Sequence, residues 1–530
     1  MKQYKFLITA LLLLASSACQ QSDHNIKNKH EEKVLKICAK DDPYSLDPRI
    51  GGDRASQVYI RLLYEGLMRE GSDGKPHFAV AKDVKVSDDG LNYTFTLKDT
   101  QWSNGEPVTA FDFEYSWKKV IDHDFPSTSG YIMYLIKNAK AAKEGHCSIQ
   151  DVGVKALDAK TLFVTLEHPA PYFLEMMTSG VYAPVCKSVA EKNPTGPLVA
   201  DAVYNGPFIL HDRKLKDFIE VVKNDKYWNC DEVKIDKIRF IISPNERTSL
   251  MLFERGEVDW VGDPLTKLPV NAIPQFRAAK KFNNFPSTSI FLYVFNVDRA
   301  PFNNPKMRRA FSYAIDRQAI VDNILKEGQC VETNFIPSSM GLHHSPCFKD
   351  HDVEMARKLF NESLVEMEMT VDQLPKMVLT IPDRHVMLAQ AIQEQWRLTF
   401  GFTVEIETCE WNIYLDRLNE RDYQIGCYAW SPNFNDPMGN LHYLKYKADV
   451  INDTGWEHPR FITLLESADH ELNLLQRKEF LREAEELLLN EMPIAPLYTE
   501  AHGYLKKDYV TGVFASPLGE VDFREVDIKR

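Results

Sequence analysis

Between Asn92 and Leu97 the chain sets Tyr93, Phe95 and Leu97 on one side and Thr94 and Thr96 on the other. That period of two predicts a half-buried strand. Thr161–Glu167 and Phe218–Lys223 read as strands too, as do Thr403–Glu410, which runs into Trp411, and Gln424–Ala429, which runs into Trp430. Elsewhere the spacing is helical. Asn304 followed by Pro305 is a helix start, an amide that caps and a ring whose missing N–H costs nothing there. Phe311, Ala314 and Ile315 then share one face. Ala391, Ile392, Gln395, Trp396 and Phe400 run to Gly401, a C-terminal stop. Leu475–Asn490 forms a third helix, ended before Pro493. Strands interspersed with helices throughout predict a mixed α/β (α+β) fold.

The N-terminus follows another logic. Lys2 and Lys5 precede an apolar run, Leu7–Ala15, and the small residues Ser16, Ser17 and Ala18 lead into Cys19. The run is too short for a bilayer core of ~30 Å, so residues 1–18 read as a cleaved signal peptide. A Cys directly after small residues resembles a bacterial lipobox, in which that Cys becomes the lipidated first residue. Ser16 departs from the pattern, which prefers Leu there. Residues 19–34 are polar for most of their length and read as a tether to the membrane.

Composition narrows the function. The chain has 530 residues, and 76 acidic against 63 basic side chains give a net charge of -13. At roughly 100–200 residues per domain, this length makes about three. An acidic, unpatterned chain argues against nucleic acid, whose binding rests on Lys and Arg at phosphates. Of nine cysteines, eight remain beyond Cys19, with no CxxC pair. In an exported chain disulfides become possible, and Cys330 and Cys347, bracketing a loop rich in Pro, Ser and Gly, are the candidate pair. His343, His344 and Cys347 mimic a metal cluster, but loop histidines are more often merely solvated, and no metal or cofactor is expected. GxxxxGK[ST], GxSxG, HExxH and GxGxxG are missing, so nothing specific supports an enzyme.

The most distinctive segment is Trp102-Ser103-Asn104-Gly105-Glu106-Pro107-Val108-Thr109-Ala110-Phe111-Asp112-Phe113-Glu114-Tyr115-Ser116-Trp117. Physically it is a strand, a turn at Asn104-Gly105, and a helix whose start Asp112 favours. It resembles the signature of the extracellular solute-binding proteins that serve peptide and nickel ABC importers. Other landmarks of that family follow in order: Leu46-Asp47-Pro48, Tyr64-Glu65-Gly66-Leu67, Val203–Phe208, Arg255–Asp259, Pro301–Asn303, Ala314–Arg317 and Trp430–Pro437. The likeness covers Leu35 to the C-terminus and is nearest to oligopeptide receptors.

This resemblance implies a type II periplasmic-binding-protein-like fold. Two lobes would close about a hinge, with an extra domain. Residues 35–63, 193–287 and 500–530 would form lobe I, 64–192 an inserted domain and 288–499 lobe III. The implied ligand residues are Gly51, Gly52 and Asp53, which pair with the peptide as an added strand. Tyr131 and Asp263 are polar contacts, and Trp411, Trp430, Ser431 and Asn433 line side-chain pockets and the peptide terminus. Oligopeptide receptors carry an Asp at the position of Asn433, where it pairs with the α-amine. An amide brings no charge, so either Asp436, Asp263 or Asp53 supplies it, or the ligand lacks a free amine there. The implied partners are an oligopeptide, ABC permease subunits and, through Cys19, a membrane on the periplasmic side of the bacterial envelope; no nucleic acid is implied, and a monomer is expected. Open alternatives are a receptor of the same family for murein tripeptide, dipeptide, nickel or haem, and, further off, a secreted peptidase or structural lipoprotein.

Overall fold

The computed structural model describes residues 32–192, 202–343, 345–449 and 451–529. The leader and Cys19, the expected boundary at residue 193, and His344 lie outside them.

The principal elements, in chain order, begin with β1 (Val34–Ala39) and α1 (Arg54–Leu63). Then come β2 (Ala81–Val86), β3 (Asn92–Leu97), α2 (Ala110–Val120), β4 (Val154–Ala156), β5 (Thr161–Thr165) and the short α3 (Phe173–Met176). β6 (Phe208–Lys214), β7 (Phe218–Lys223), β8 (Lys237–Ile242), β9 (Trp260–Gly262) and β10 (Asn283–Phe295) follow. The remainder comprises α4 (Pro305–Tyr313), β11 (Val378–Pro382), α5 (Val386–Phe400), β12 (Glu405–Cys409), α6 (Trp411–Asn419), β13 (Ile425–Trp430), α7 (Pro459–His470), α8 (Leu474–Glu491) and β14 (Ile494–Lys506).

One sheet of 11 strands organises the chain, in the order β12-β11-β13-β10-β14-β9-β1-β8-β7-β6, with Cys330–Val331 added to β14. Its centre is the antiparallel pair β10 and β14, each 13 residues long. They pair in two stretches, Asn283–Phe285 against His502–Tyr504 and Ile290–Val294 against Ile494–Thr499. Between the stretches the ladder breaks, and the Thr288 N–H turns to the Pro517 carbonyl at 2.8 Å. The first stretch leads through β9 to β1 and β8. The second leads through β13 to β11 and β12. A separate sheet, β2-β3-β5-β4, lies wholly within residues 64–192.

Local chemistry explains the element ends. Asp53 caps α1 by accepting from the Ser56 N–H at 2.9 Å. Asp112 accepts from the Thr109 N–H at 2.8 Å, closing the first turn of α2. Asn304 accepts from the Lys306 N–H at 2.8 Å ahead of Pro305, and α5 stops at Gly401 in the left-handed region, φ 83°. The expected strand Thr403–Glu410 is shorter, because Glu410 turns its carboxylate to the Asn412 N–H at 2.8 Å and caps α6. Trp411 therefore opens a helix.

Residues near the C-terminus pack on the first helix. Arg54 donates to the Gly519 carbonyl at 2.5 Å, Arg61 pairs with Glu520, and Arg524 meets Glu65 at 2.9 Å. Three apolar cores result. The largest includes Trp102, Trp117 and Tyr182, another gathers Phe291, Phe311 and Trp396, and a small one holds Val258, Val261 and Leu505.

The expected Cys330–Cys347 disulfide is not formed; both thiols are free and their residues exposed. Cys330 is held in a strand opposite Thr499, while the Cys347 N–H is tied to Asn334 Oδ1 at 2.7 Å. Of the loop histidines, His343 meets Glu485 at 2.6 Å.

Candidate functional site

β11 runs parallel to both β12 and β13, so the carboxyl ends of all three lie at one edge. In open α/β sheets such edges are where ligands bind. β12 ends beside Trp411 and β13 ends in Trp430, so both tryptophans stand at that edge. Trp411 is 36% exposed; the Arg384 guanidinium lies 4.0 Å from its ring centre. The Trp430 ring stacks on Tyr443 at 4.3 Å, and its indole N–H has no partner among the described residues. Trp411 thus offers an open aromatic face, while Trp430 is half-packed with an unspent donor. Ser431 continues the edge, its hydroxyl 2.6 Å from that of Ser289 in the break between the two stretches of β10.

Across from this edge stands residue Tyr131, 53% exposed despite its size. Its hydroxyl donates to Asn433 Oδ1 at 3.4 Å. Gly52 lies against the same loop: a Cβ there would stand 2.2 Å from Ser129 Oγ, so a larger residue would require the Ser129 hydroxyl to turn away. Gly51 spends both backbone groups internally, its N–H on the Asp47 carbonyl at 2.9 Å and its carbonyl on Gln57 Nε2 at 2.5 Å. The Gly52 N–H goes to the Ile50 carbonyl at 2.9 Å.

Asp263 is buried, and its carboxylate accepts from Lys267 at 3.0 and 3.2 Å. His502 Nδ1 lies 3.4 Å away and 3.2 Å from Arg54. Burial pushes the Asp263 carboxyl up, but His502, Lys267 and Arg54 outweigh it and hold the group below the ordinary carboxylate range. This network links Asp263 to the residue that follows Asp53.

The three acids considered as replacements for the missing Asp at 433 are all engaged. Asp53 caps α1, Asp263 holds Lys267 and His502, and Asp436 receives Arg477 in a bidentate pair at 2.7 and 2.8 Å.

Thus the structure joins Tyr131 to Asn433, sets Gly52 against Ser129 two residues before Tyr131, keeps Trp430 and Ser431 beside Asn433 in the chain, and links Asp263 to Arg54 through His502. Among the described residues no hydrogen bond or ring contact joins Trp411 to this group; it shares the sheet edge with Trp430. Sequence reasoning missed Arg54, Lys267, His502 and Arg384. Arg54 follows Gly51–Asp53 directly and is the one a search of neighbours would find.

Segment 64–192 meets residues 433–470 at several points. Tyr172 Oη donates to Asp469 Oδ1 at 3.0 Å. The Tyr172 and Phe434 rings stack at 4.9 Å with 7° between planes. Asn435 Nδ2 donates to the Gly74 carbonyl at 3.2 Å.

Comparisons with known proteins place the chain in a family. The family model for bacterial extracellular solute-binding proteins, family 5 middle, matches residues 75–452. The oligopeptide-binding protein OppA of Bacillus subtilis (strain 168) is 38% identical, with all of both chains covered. Among solved structures, the Escherichia coli murein tripeptide-binding protein MppA superposes with a TM-score of 0.78 at 26% identity, over 94% of this chain and 99% of that one. Listeria monocytogenes OppA bound to peptide gives 0.74 at 27% identity, over 94% and 100%. The fold is thus the type II periplasmic-binding-protein fold, and the chain belongs to the bacterial extracellular solute-binding proteins of family 5.

Proposed function

We propose that the chain is the receptor of an ABC importer, capturing short peptides between two lobes and handing them to the membrane permease. The observation that carries this reading is the pairing of Tyr131 with Asn433, beside Trp430 and Ser431, where two distant segments of the chain meet. The similarity to OppA proteins supports the same ligand class.

In this reading residues 35–63, 193–287 and 500–530 make lobe I, 64–192 the inserted domain and 288–499 lobe III. The broken ladder at Ser287–Ser289 is the hinge, since the two strands crossing there are the links that can flex without dismantling either half. An extended peptide offers an N–H and a C=O at each residue, so backbone pairing binds any sequence. Because Gly51 has spent its own groups, pairing falls to the Gly52 carbonyl and the Asp53 N–H. Four extended residues span about 13–14 Å, short enough to be enclosed. Aromatic walls at Trp411 and Trp430 then accept varied side chains, offering area with little directional demand.

The chain acts as a binder and not as an enzyme. It works as a monomer, held by a lipid on Cys19 at the periplasmic side of the envelope. Among the described residues no helix is long and apolar enough to cross a membrane, so the membrane link rests on the leader. Labelling with palmitate should mark wild type and not Cys19→Ala; an unlabelled wild type defeats the anchor.

Titration calorimetry with tri- to pentapeptides, followed by mass spectrometry of the recovered ligand, tests the receptor reading. Saturable binding with intact recovery is expected. Cleaved peptide means a peptidase, and no binding of any length removes the proposal.

A further inference from the structure

Two residues along from Asn433, four segments converge on a small cavity: Glu70 and Gly74, Glu175 and Thr178 near α3, Asn435, and Leu518. Its volume, about 10 Å³, suits one water-sized group. Every polar atom here left without a partner is an acceptor. Both carboxylate oxygens of Glu70, Oε2 of Glu175 and Oδ1 of Asn435 are buried and make no hydrogen bond among the described residues. Asn435 has no freedom to turn a donor inward, because its Nδ2 is committed to the Gly74 carbonyl.

Glu70 is only 6% exposed, so water does not solvate its charge. Arg61 favours the ionised form by its charge and Ser516 through its hydroxyl, but neither stands close enough for a well-formed hydrogen bond to the carboxylate oxygens among the described residues. Arg61 is instead paired with Glu520. Arg477, which acts on Glu175, is held in both arms by Asp436. Burial pushes the carboxyls of Glu70 and Glu175 up, and Arg61 and Arg477 offset that only in part. A buried acceptor without a donor is unfavourable and a buried charge without a partner more so. A cavity lined by two such acids and an amide oxygen favours a hydrogen-bond donor, and a positively charged donor most.

We propose that this cavity is a subsite for a primary ammonium group of the bound peptide, with Glu70, Glu175 and Asn435 as its acceptors. It rests on the peptide-receptor reading. It gives the receptor a preference for cationic peptides, and it supplies, from segment 64–192, the negative charge that Asn433 lacks. The ammonium comes either from a lysine side chain or from the peptide's own N-terminus. A guanidinium is larger than the space and is a poorer fit.

The test uses tetrapeptides of alanine in which lysine or norleucine is placed at each position in turn, each with a free or an acetylated N-terminus. Dissociation constants are measured by calorimetry on wild type, Glu70→Gln and Glu175→Gln, with circular dichroism to check folding. Wild type is expected to favour lysine over norleucine at one position, or the free over the acetylated terminus, by at least about tenfold, the equivalent of roughly 1.4 kcal/mol. Whichever preference is found identifies the source. It should shrink at least threefold in each folded Gln variant. Equal affinities across the wild-type set overturn the subsite even if no variant folds, as does a preference that survives both Gln substitutions. If wild type binds none of these peptides, the receptor reading falls with it; if it binds all alike, only the subsite falls.

Discussion

Tyr172 is the point where closure is open to a single-atom perturbation. Its hydroxyl donates to Asp469 at 3.0 Å, its ring lies flat on Phe434 at 4.9 Å, and Arg477 stands 5.3 Å from its ring centre. Tyr172 belongs to the inserted segment and its three partners to the proposed lobe III. Tyr172→Phe keeps the stack and removes only the hydroxyl. Asp469, 3% exposed, then loses that donor. A hydrogen bond to a charged group contributes about 1.5–3 kcal/mol, and a charged group left buried without its partner loses at least as much. If the ligand-free receptor rests mainly open, this cost falls on the closed, liganded state alone and passes in full into the affinity. The variant should then bind peptide about 10- to 150-fold more weakly by calorimetry. Small-angle scattering should show a liganded particle less compact than wild type at equal saturation. The melting temperature without peptide should change little. An unchanged dissociation constant with a lowered melting temperature would refute the reasoning, because the contact would then belong to the resting fold.

Other consequences are as direct. Asn433→Asp should favour a free peptide over its N-acetylated form by roughly tenfold, the difference between charged and neutral hydrogen bonds; equal effects on both would remove position 433 from the peptide terminus. Trp411→Ala and Trp430→Ala should each weaken peptides with bulky side chains by about 3- to 12-fold, the range of an aromatic contact, and alanine peptides less; equal losses would make these residues packing. Glu332 is buried, and burial lifts its carboxyl from 4.5 to about 7. The folded state therefore binds this proton more tightly than the unfolded chain, so its contribution is complete below about pH 4.5 and is lost as pH rises toward 7. Denaturant unfolding of wild type and Glu332→Gln across pH 5–8 should show wild type losing up to about 3 kcal/mol relative to the variant; parallel profiles would contradict the shift.

Much of the fold was legible because local rules act over a few residues. Asn304-Pro305, Gly401 and the alternation around Phe95 fixed their elements to within a residue or two at the ends they mark. Errors arose where a side chain served two elements. Glu410 looks like the last strand residue and is a helix cap, because its carboxylate reaches the N–H groups two and three residues on. The cysteines at 330 and 347 flank a loop convincingly in one dimension, but a strand pairing with Thr499 holds one and Asn334 the other. The family resemblance named both Tyr131 and Asn433, which periodicity could not, since they stand 302 positions apart. It gave no role to Glu70, Glu175 or Asn435. These residues are brought together only by the packing of the inserted segment on the far end of the chain, and no spacing announces it.

The central claim is that the cleft holds a peptide. A tightly enclosed ligand survives gentle purification, so the chain should be expressed in a bacterium, isolated without denaturant, and then unfolded in acid. Mass spectrometry of the released small molecules should find a mixture of short peptides, stoichiometric with protein and absent from Tyr172→Phe protein washed in parallel. A single non-peptide solute released in that amount, such as a metal chelate or a haem, would contradict the account.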